Sequence, residues 1–295
     1  MHLKTRTRNI IRTLTVATLL FLGYAYFEFH WLKTTQLVIQ SADIPPAFDG
    51  KRIVFFSDVH EGRFFSKKRV AALVQKVNAL HPDIVILGGD YVLGKYKGNT
   101  YSFFKEIKKL KSPLGVYGVI GNHDYWSSRT LTIEQMQKYG IHDCDNRAFW
   151  IKSGADSIKI GGLHQTATPN QIPDSMTQDV KPTDFMILVS HKPDKIMQLQ
   201  SNKVNLTLSG HTHGGQITLF GLYAPVLPAI SDNGFAIFPT GEYQNYRYGM
   251  IQNGNIQSYV SSGVGGLLPF RFFCRPEIVV IQLQHIPAKK SVPTK

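Results

Sequence analysis

The sequence predicts an α/β fold in which two β-sheets pack together, helices flank the outside, and a site runs along one shared edge. Three observations carry this. In the first half, apolar runs of strand length alternate with segments of helical periodicity, the βαβ pattern of a parallel sheet. In the second half such runs follow one another with little helix between them, which we read as a sheet rich in antiparallel strands. Runs from both halves end in His, Asp or Asn, so the two sheets must present one set of strand ends to a common point.

Taken in order, the chain opens with Lys4, Arg6, Arg8 and Arg12, followed by the uncharged run Leu14 to Phe27. No small-x-small cleavage site follows, and apolar and aromatic residues continue to Trp31 and Leu32, so residues 1–32 read as an uncleaved membrane anchor. Crossing a bilayer takes about 20 apolar residues, which Ile10 to Leu32 supplies if Arg12 and Glu28 sit near the two interfaces. The basic residues ahead of the span put the N-terminus in the cytoplasm and the rest outside it, on the inner (cytoplasmic) membrane, whereas a helix lying in the membrane plane would let the domain face the cytoplasm. Residues 33–50 read as a linker containing a leading strand over Thr34 to Gln40, residues 51–285 as the main folded domain, and residues 286–295 as a disordered tail.

Within the domain the first strand is Arg52 to Ser57. Ser66 is a plausible N-cap for a helix whose apolar positions Val70, Leu73, Val74, Val77 and Leu80 share one face, and His81-Pro82 ends it before the strand Ile84 to Leu87. Further helices are expected over Tyr101 to Leu110 and Thr130 to Tyr139, with the strand Val116 to Ile120 between them. The second half is expected to hold strands over 149–152, 157–162, 185–189, 204–208, 216–219, 236–238, 246–251, 256–261 and 278–283. Only 193–200 and part of 169–178 look helical there.

A chain of 295 residues that is 43% hydrophobic can build one large domain with a substantial core. The net charge of +13 lies mostly beyond the anchor and points to an anionic partner, whether nucleic acid, an anionic membrane surface or a phosphorylated substrate. No basic-aromatic nucleic-acid motif is present, so a specific nucleic-acid partner is not expected. Lys67-Lys68-Arg69 and the lysines from 105 to 111 read as solvated helix faces. Cys144 and Cys274 stand far apart and read as free, buried thiols.

The chemistry concentrates at strand ends. Asp58-Val59-His60 follows the first strand, Gly88-Gly89-Asp90 the second, and Gly121-Asn122-His123-Asp124 the third. Ser190-His191 and Gly210-His211-Thr212-His213 end two strands of the second half. Carboxylate, amide and imidazole donors in this number suit a pair of divalent cations sharing one carboxylate. In an extended segment, alternate residues face one way, so Asp58/His60 and His211/His213 could each close on a metal from a single strand end. Arg63, Lys192, Arg271 and Arg275 are candidate binders of an anionic group, and His164 could line the pocket. The loop Gly263 to Phe270 could admit an acyl chain or touch the membrane.

At these blocks the sequence resembles the calcineurin-like metallophosphoesterase family over about residues 50 to 285. The resemblance implies an α/β/β/α sandwich of two mixed sheets and a phosphoester hydrolase acting by a metal-bridged hydroxide. It implies Asp58, His60 and His213 at one metal, Asn122, His191 and His211 at a second, and Asp90 bridging. His123 would be the catalytic histidine, oriented by Asp124. The donor mixture suits Mn, Fe or Zn. Where many members have Asp or Asn, three residues after the bridging Asp, this chain has Leu93. The anchor, the extended His211 block and the C-terminal segment resemble a membrane-linked branch. Its described substrates include phosphodiesters and UDP-2,3-diacylglucosamine of lipid A synthesis, so a phosphorylated, lipid-linked substrate is the expected partner.

Overall fold

A computed structural model describes residues 2–228 and 234–287; most of the expected tail lies outside them. The helix α1 (His2–His30) leads into β1 (Lys33–Ser41), and the first half continues through β2 (Arg52–Phe56), α2 (Lys67–Ala79), β3 (Ile84–Leu87), α3 (Lys97–Ile107), β4 (Val116–Gly118), α4 (Asn122–Lys138) and β5 (Ile141–Asp143). The second half comprises β6 (Arg147–Ser153), β7 (Asp156–Leu163), α5 (Asp174–Thr177), β8 (Met186–Ser190), β9 (Leu206–Ser209), β10 (Val226–Pro228), β11 (Phe235–Ile237), α6 (Glu242–Asn245), β12 (Gly249–Asn253), β13 (Ile256–Val260) and β14 (Glu277–His285).

Two six-stranded mixed sheets form, ordered β1-β14-β2-β3-β4-β5 and β12-β13-β9-β8-β7-β6. Ile53, Phe55, Ile84 and Ile86 from one sheet and Ile158, Ile160, Ile187, Val189, Leu206 and Leu208 from the other meet in a buried layer between them. On the strands of the first sheet the alternate residues Val54, Phe56, Val85 and Leu87 face outward, where Leu73, Val74 and Val77 of α2 and Phe103, Phe104 and Ile107 of α3 cover them. Both faces of these strands are buried, which is why they read as continuous apolar runs. Met186 and Leu188 turn the outer face of the second sheet toward Met176, Val180, Ile196 and Leu199. The α/β/β/α order is therefore present, although turns and short helices make up most of the second flank.

The leading strand expected over 34–40 is present as β1 and joins the first sheet, pairing with β14 in parallel along its whole length, from Lys33↔Glu277 to Ser41↔His285. Several expectations need correcting. The second sheet is mainly parallel at its centre, since β7, β8, β9 and β13 run the same way and only the edge pairs β6/β7 and β12/β13 are antiparallel. Its crossovers lack long amphipathic helices, so the periodicity that marks a βαβ unit is missing. The expected strand 216–219 is a bent tip, because Gln216 and Phe220 both take positive φ. The helix expected at 193–200 is only a 3-10 turn over Pro193–Lys195. The helix expected from Thr130 starts at Asn122 and is interrupted at Ser128 (φ −175°, ψ 100°).

Candidate metal centre

The strands β2, β3 and β4 of one sheet, and β8 and β9 of the other, send their C-terminal ends to the same edge of the sandwich. Ligands of open α/β sheets bind outside the carboxyl ends of the strands. The loops after β2 and β3 bind one another along their backbones: Asp58 N–H donates to Gly89 O (2.9 Å), His60 N–H to Asp90 O (3.0 Å) and Glu61 N–H to Tyr91 O (2.8 Å). The second sheet reaches across, with His211 N–H donating to both Asp58 oxygens at 3.0 and 3.1 Å. His191 Nδ1 lies 2.8 Å from Gly88 O. Glycines permit this closeness: a Cβ on Gly121 would sit 2.1 Å from Asp90 Oδ1, and one on Gly210 would sit 2.3 Å from Asp58 Oδ2.

The side chains are not aimed by extended backbone, as the alternation argument assumed. Asp58 (φ 55°), His60 (51°), Asp90 (55°), His211 (70°) and His213 (52°) all occupy the left-handed region. Such conformations are uncommon outside glycine and gather at functional sites where the surroundings hold them. Each one turns its loop sharply beyond the strand, so that Asp58 with His60, and His211 with His213, face the same centre.

Three groups of donor atoms result, each within 4.8 Å: Asp58, His60 and His213; His60, Asp90 and His123; and Asp90, His191 and His211. Asp90 stands between the outer two. Its Oδ1 accepts from His123 N–H (2.8 Å), which ties it to the start of α4. Its Oδ2 is 3.5 Å from His60 Nε2 and 3.3 Å from His191 Nε2. Asn122 Oδ1 lies 3.1 Å from His191 Nε2, and His213 Nε2 is 3.6 Å from Asp58 Oδ1. His60 and His213 face each other through Nε2 atoms 3.1 Å apart.

Burial sets the charge states. It pushes His60 down to about 3 and His213 well below the ordinary histidine range, so both rings are neutral and carry a free lone pair. Burial alone would raise Asp90, but His191 opposite holds it well below the carboxylate range. His191 is pushed up to about 9, Asp90 overcoming the penalty of burial. Burial raises Asp58 to about 6. His60 Nδ1 and His213 Nδ1 are buried without a hydrogen-bond partner among the described residues. The anionic Asp90 beside the neutral imidazoles of His60 and His213 fits a divalent cation, and the proton that Asp90 holds on His191 occupies the position a second cation would take.

A cavity of about 200 Å³ lies over this centre, walled by Asp90, Asn122, His123, His211 and His213 on one side and Trp126, Pro228, Phe235 and Leu267 on the other. Trp126 was not singled out from the sequence; its ring meets that of His123 edge to face at 4.8 Å. It lies one helical turn beyond His123, a relation visible only once α4 is known to begin at Asn122.

Other expected residues lie elsewhere. Asp124 does not orient the His123 ring: its Oδ1 accepts from Tyr91 and Val92 N–H (2.8 and 3.2 Å) and its Oδ2 from Gly121 N–H (3.0 Å), so it fixes the loops that carry Asp90 and His123. Arg271 cannot bind substrate. It is fully buried, and its guanidinium donates to the carbonyls of His213, Ser262, Gly265 and Cys274. Arg275 stacks on Trp31 at 3.7 Å, beside the end of α1. Lys192 is buried, Arg63 is exposed over Phe64, and neither is on the cavity wall. His164 faces Asp145 and Tyr125 instead of the cavity. Cys144 and Cys274 are free and buried, as expected.

The model of the family described as calcineurin-like phosphoesterase matches residues 51–215. Among known proteins, the chain is 33% identical to the uncharacterized metallophosphoesterase YkuE of Bacillus subtilis (strain 168), over 89% of each chain. It is 26% identical to phosphodiesterase YaeI of Escherichia coli (strain K12), over 79% of this chain and 82% of that one. It is 27% identical to a bovine (Bos taurus) transmembrane protein with metallophosphoesterase domain, over 83% of this chain and 55% of that one. With its clustered His and Asp donors at the strand ends, this chain belongs to the calcineurin-like phosphoesterase family, the metal-dependent phosphoester hydrolases.

Proposed function

We propose that this chain hydrolyses a phosphodiester or pyrophosphate bond in a lipid-linked substrate, with two cations of Mn, Fe or Zn held at the strand ends. Asp58, His60 and His213 would hold one ion, Asn122, His191 and His211 the other, and Asp90 both. The observation that carries this reading is Asp90 Oδ2, which lies within 3.5 Å of His60 on one side and 3.3 Å of His191 on the other. When bound, the ions supply positive charge against the phosphoryl oxygens and lower the pKa of water. His123, half-buried at the cavity wall, is placed to give a proton to the leaving oxygen. Burial depresses its pKa, which weakens its hold on that proton. Asp124 maintains the backbone that presents it.

The specific candidate is UDP-2,3-diacylglucosamine, from the resemblance of the membrane-linked branch. A phospholipid-type diester competes with it, because the positive-inside pattern of residues 1–32 favours a domain outside the cytoplasm. The test compares hydrolysis of UDP-diacylglucosamine with that of an aryl phosphodiester by the metal-loaded chain, with Asp90→Ala as control. Preference for the UDP-lipid supports the pyrophosphatase; aryl diester cleavage alone supports the general phosphodiesterase. His123→Ala is expected to retain both metals and lose turnover by roughly 10²- to 10⁴-fold; unchanged turnover would remove its role.

A further inference from the structure

Residues 216–228 and 261–270 carry no charged side chain, and Gln216 joins the two stretches, its Nε2 donating to the carbonyls of Leu268 (3.2 Å) and Phe270 (3.0 Å). Ile217 bridges Phe272, and Thr218 N–H donates to Phe272 O at 2.9 Å. The tips they form expose Leu219 (54%), Phe220 (76%), Leu222 (83%) and Leu268 (56%), and Phe273 (44%), just beyond the second stretch, joins them. Monomeric domains seldom expose so many large apolar groups together, and such faces mark interaction sites.

The helix α1 specifies what covers this face. Its segment Thr5–His30 is long and apolar enough to cross a membrane. Its last turns are fastened to the domain: Glu28, itself buried, accepts from Phe273 and Cys274 N–H at 2.8 and 2.6 Å, and Ala25 O accepts from Arg271 N–H at 2.9 Å. The Phe272 ring packs on Phe21 (4.7 Å) and Tyr24 (5.5 Å), and Phe220 packs on Phe273 (5.4 Å). Phe21 lies well inside the uncharged stretch between Arg12 and Glu28. Any placement of that stretch in a bilayer therefore brings Phe272 and its neighbours to the bilayer boundary.

An apolar cleft of about 320 Å³ connects this face to the metal centre. Ile217 and Leu268 stand at its outer side, and His213, Pro228, Phe235 and Leu267 are shared with the cavity over the centre. We infer that the face around Phe220 and Phe273 is seated in the bilayer, and that the cleft takes one hydrocarbon chain of a membrane lipid whose phosphate reaches the centre. The inference rests on the phosphoester hydrolase reading and names the side from which its substrate arrives.

The test uses the full chain in phosphatidylcholine vesicles. A spin label at Phe220→Cys is compared with one at Lys109→Cys, on the exposed side of the domain next to α3. Greater accessibility of the first to oxygen and of the second to a water-soluble nickel complex is expected; equal water accessibility would overturn the docking. Protection of the Phe220 label that depends on protein concentration without lipid would overturn it too, by making the face a contact between copies. Separately, kcat/KM is measured for soluble alkyl p-nitrophenyl phosphodiesters of increasing chain length. A rise approaching about fourfold per buried methylene is expected. A flat series that still depends on Asp90 would overturn the cleft assignment alone. Loss of Asp90 dependence throughout would instead overturn the hydrolase reading, with the spin labels still deciding the docking face.

Discussion

The loops of the two sheets reach the metal centre by different means. Those of the first sheet support one another: Asp58, His60 and Glu61 hydrogen-bond through their backbones to residues 89–91, and Asp124 clamps the same segment to α4. Those of the second sheet depend on bonds that cross the sandwich, from His211 to Asp58 and from His191 to Gly88, and on Arg271 gathering carbonyls from 213 and from 262–274. Half of the centre is thus built by local βαβ structure and half by long-range packing, and the two halves should respond differently to mutation.

The largest effect is expected from the residue common to both halves. Asp90→Ala removes the oxygen shared between the clusters and should weaken metal binding by more than about 100-fold, since even partners of ligands cost 10- to 100-fold. Calorimetric titration of the metal-free chain measures this, and an affinity within tenfold of the parent would rule out a shared role. Next comes Arg271→Ala, which leaves several buried carbonyls without a donor and should cost roughly 3–4 kcal/mol in denaturant unfolding. It should also weaken binding at the His213 side more than at the His191 side. Arg275→Ala, which loses a stacking contact with Trp31 and an exposed hydrogen bond from Nε to its carbonyl (3.0 Å), should cost only about 1 kcal/mol. Equal losses for the two arginines would break the contrast between the sheets.

A smaller effect is expected at the seam, where Asp145 binds Ile120 N–H at 3.1 Å and so joins the beginning of the second half to the loop before α4. Burial pushes its carboxyl up to about 7. Between the unfolded carboxylate value and about pH 7 the folded chain keeps a proton that the unfolded chain has released. This contribution is therefore complete in acid and lost as pH rises through the folded value, by at most about 4 kcal/mol. Asp145→Asn keeps the acceptor and should flatten the fall; unfolding midpoints across that range measure it, and an unchanged slope would contradict the assignment.

Much of this was legible in the sequence, for a physical reason. Strands such as Ile53–Phe56 and Ile84–Leu87 are buried on both faces, so they stand out as apolar runs, and the polar residues after them mark the edge where a site can form. Asp58, His60, Asp90, Asn122, His123, His191, His211 and His213 are all legible in this way, and the structure brings them to one edge. Trp126, the true role of Asp124 and the burial of Arg271 were not, because each depends on a loop or helix boundary that periodicity does not define.

By itself, then, the sequence determined the buried central strands, which residue types crowd their ends and that an apolar helix precedes the domain, since these follow from local hydrophobic pattern, whereas short strands such as β5 and β10 left no such pattern. The tertiary structure alone decided the parallel order of the second sheet and the pairing of β1 with β14. It decided too the left-handed turns that aim the histidines and the fastening of α1 through Glu28, because such pairings join residues far apart in the chain and are selected by packing, which no local pattern encodes.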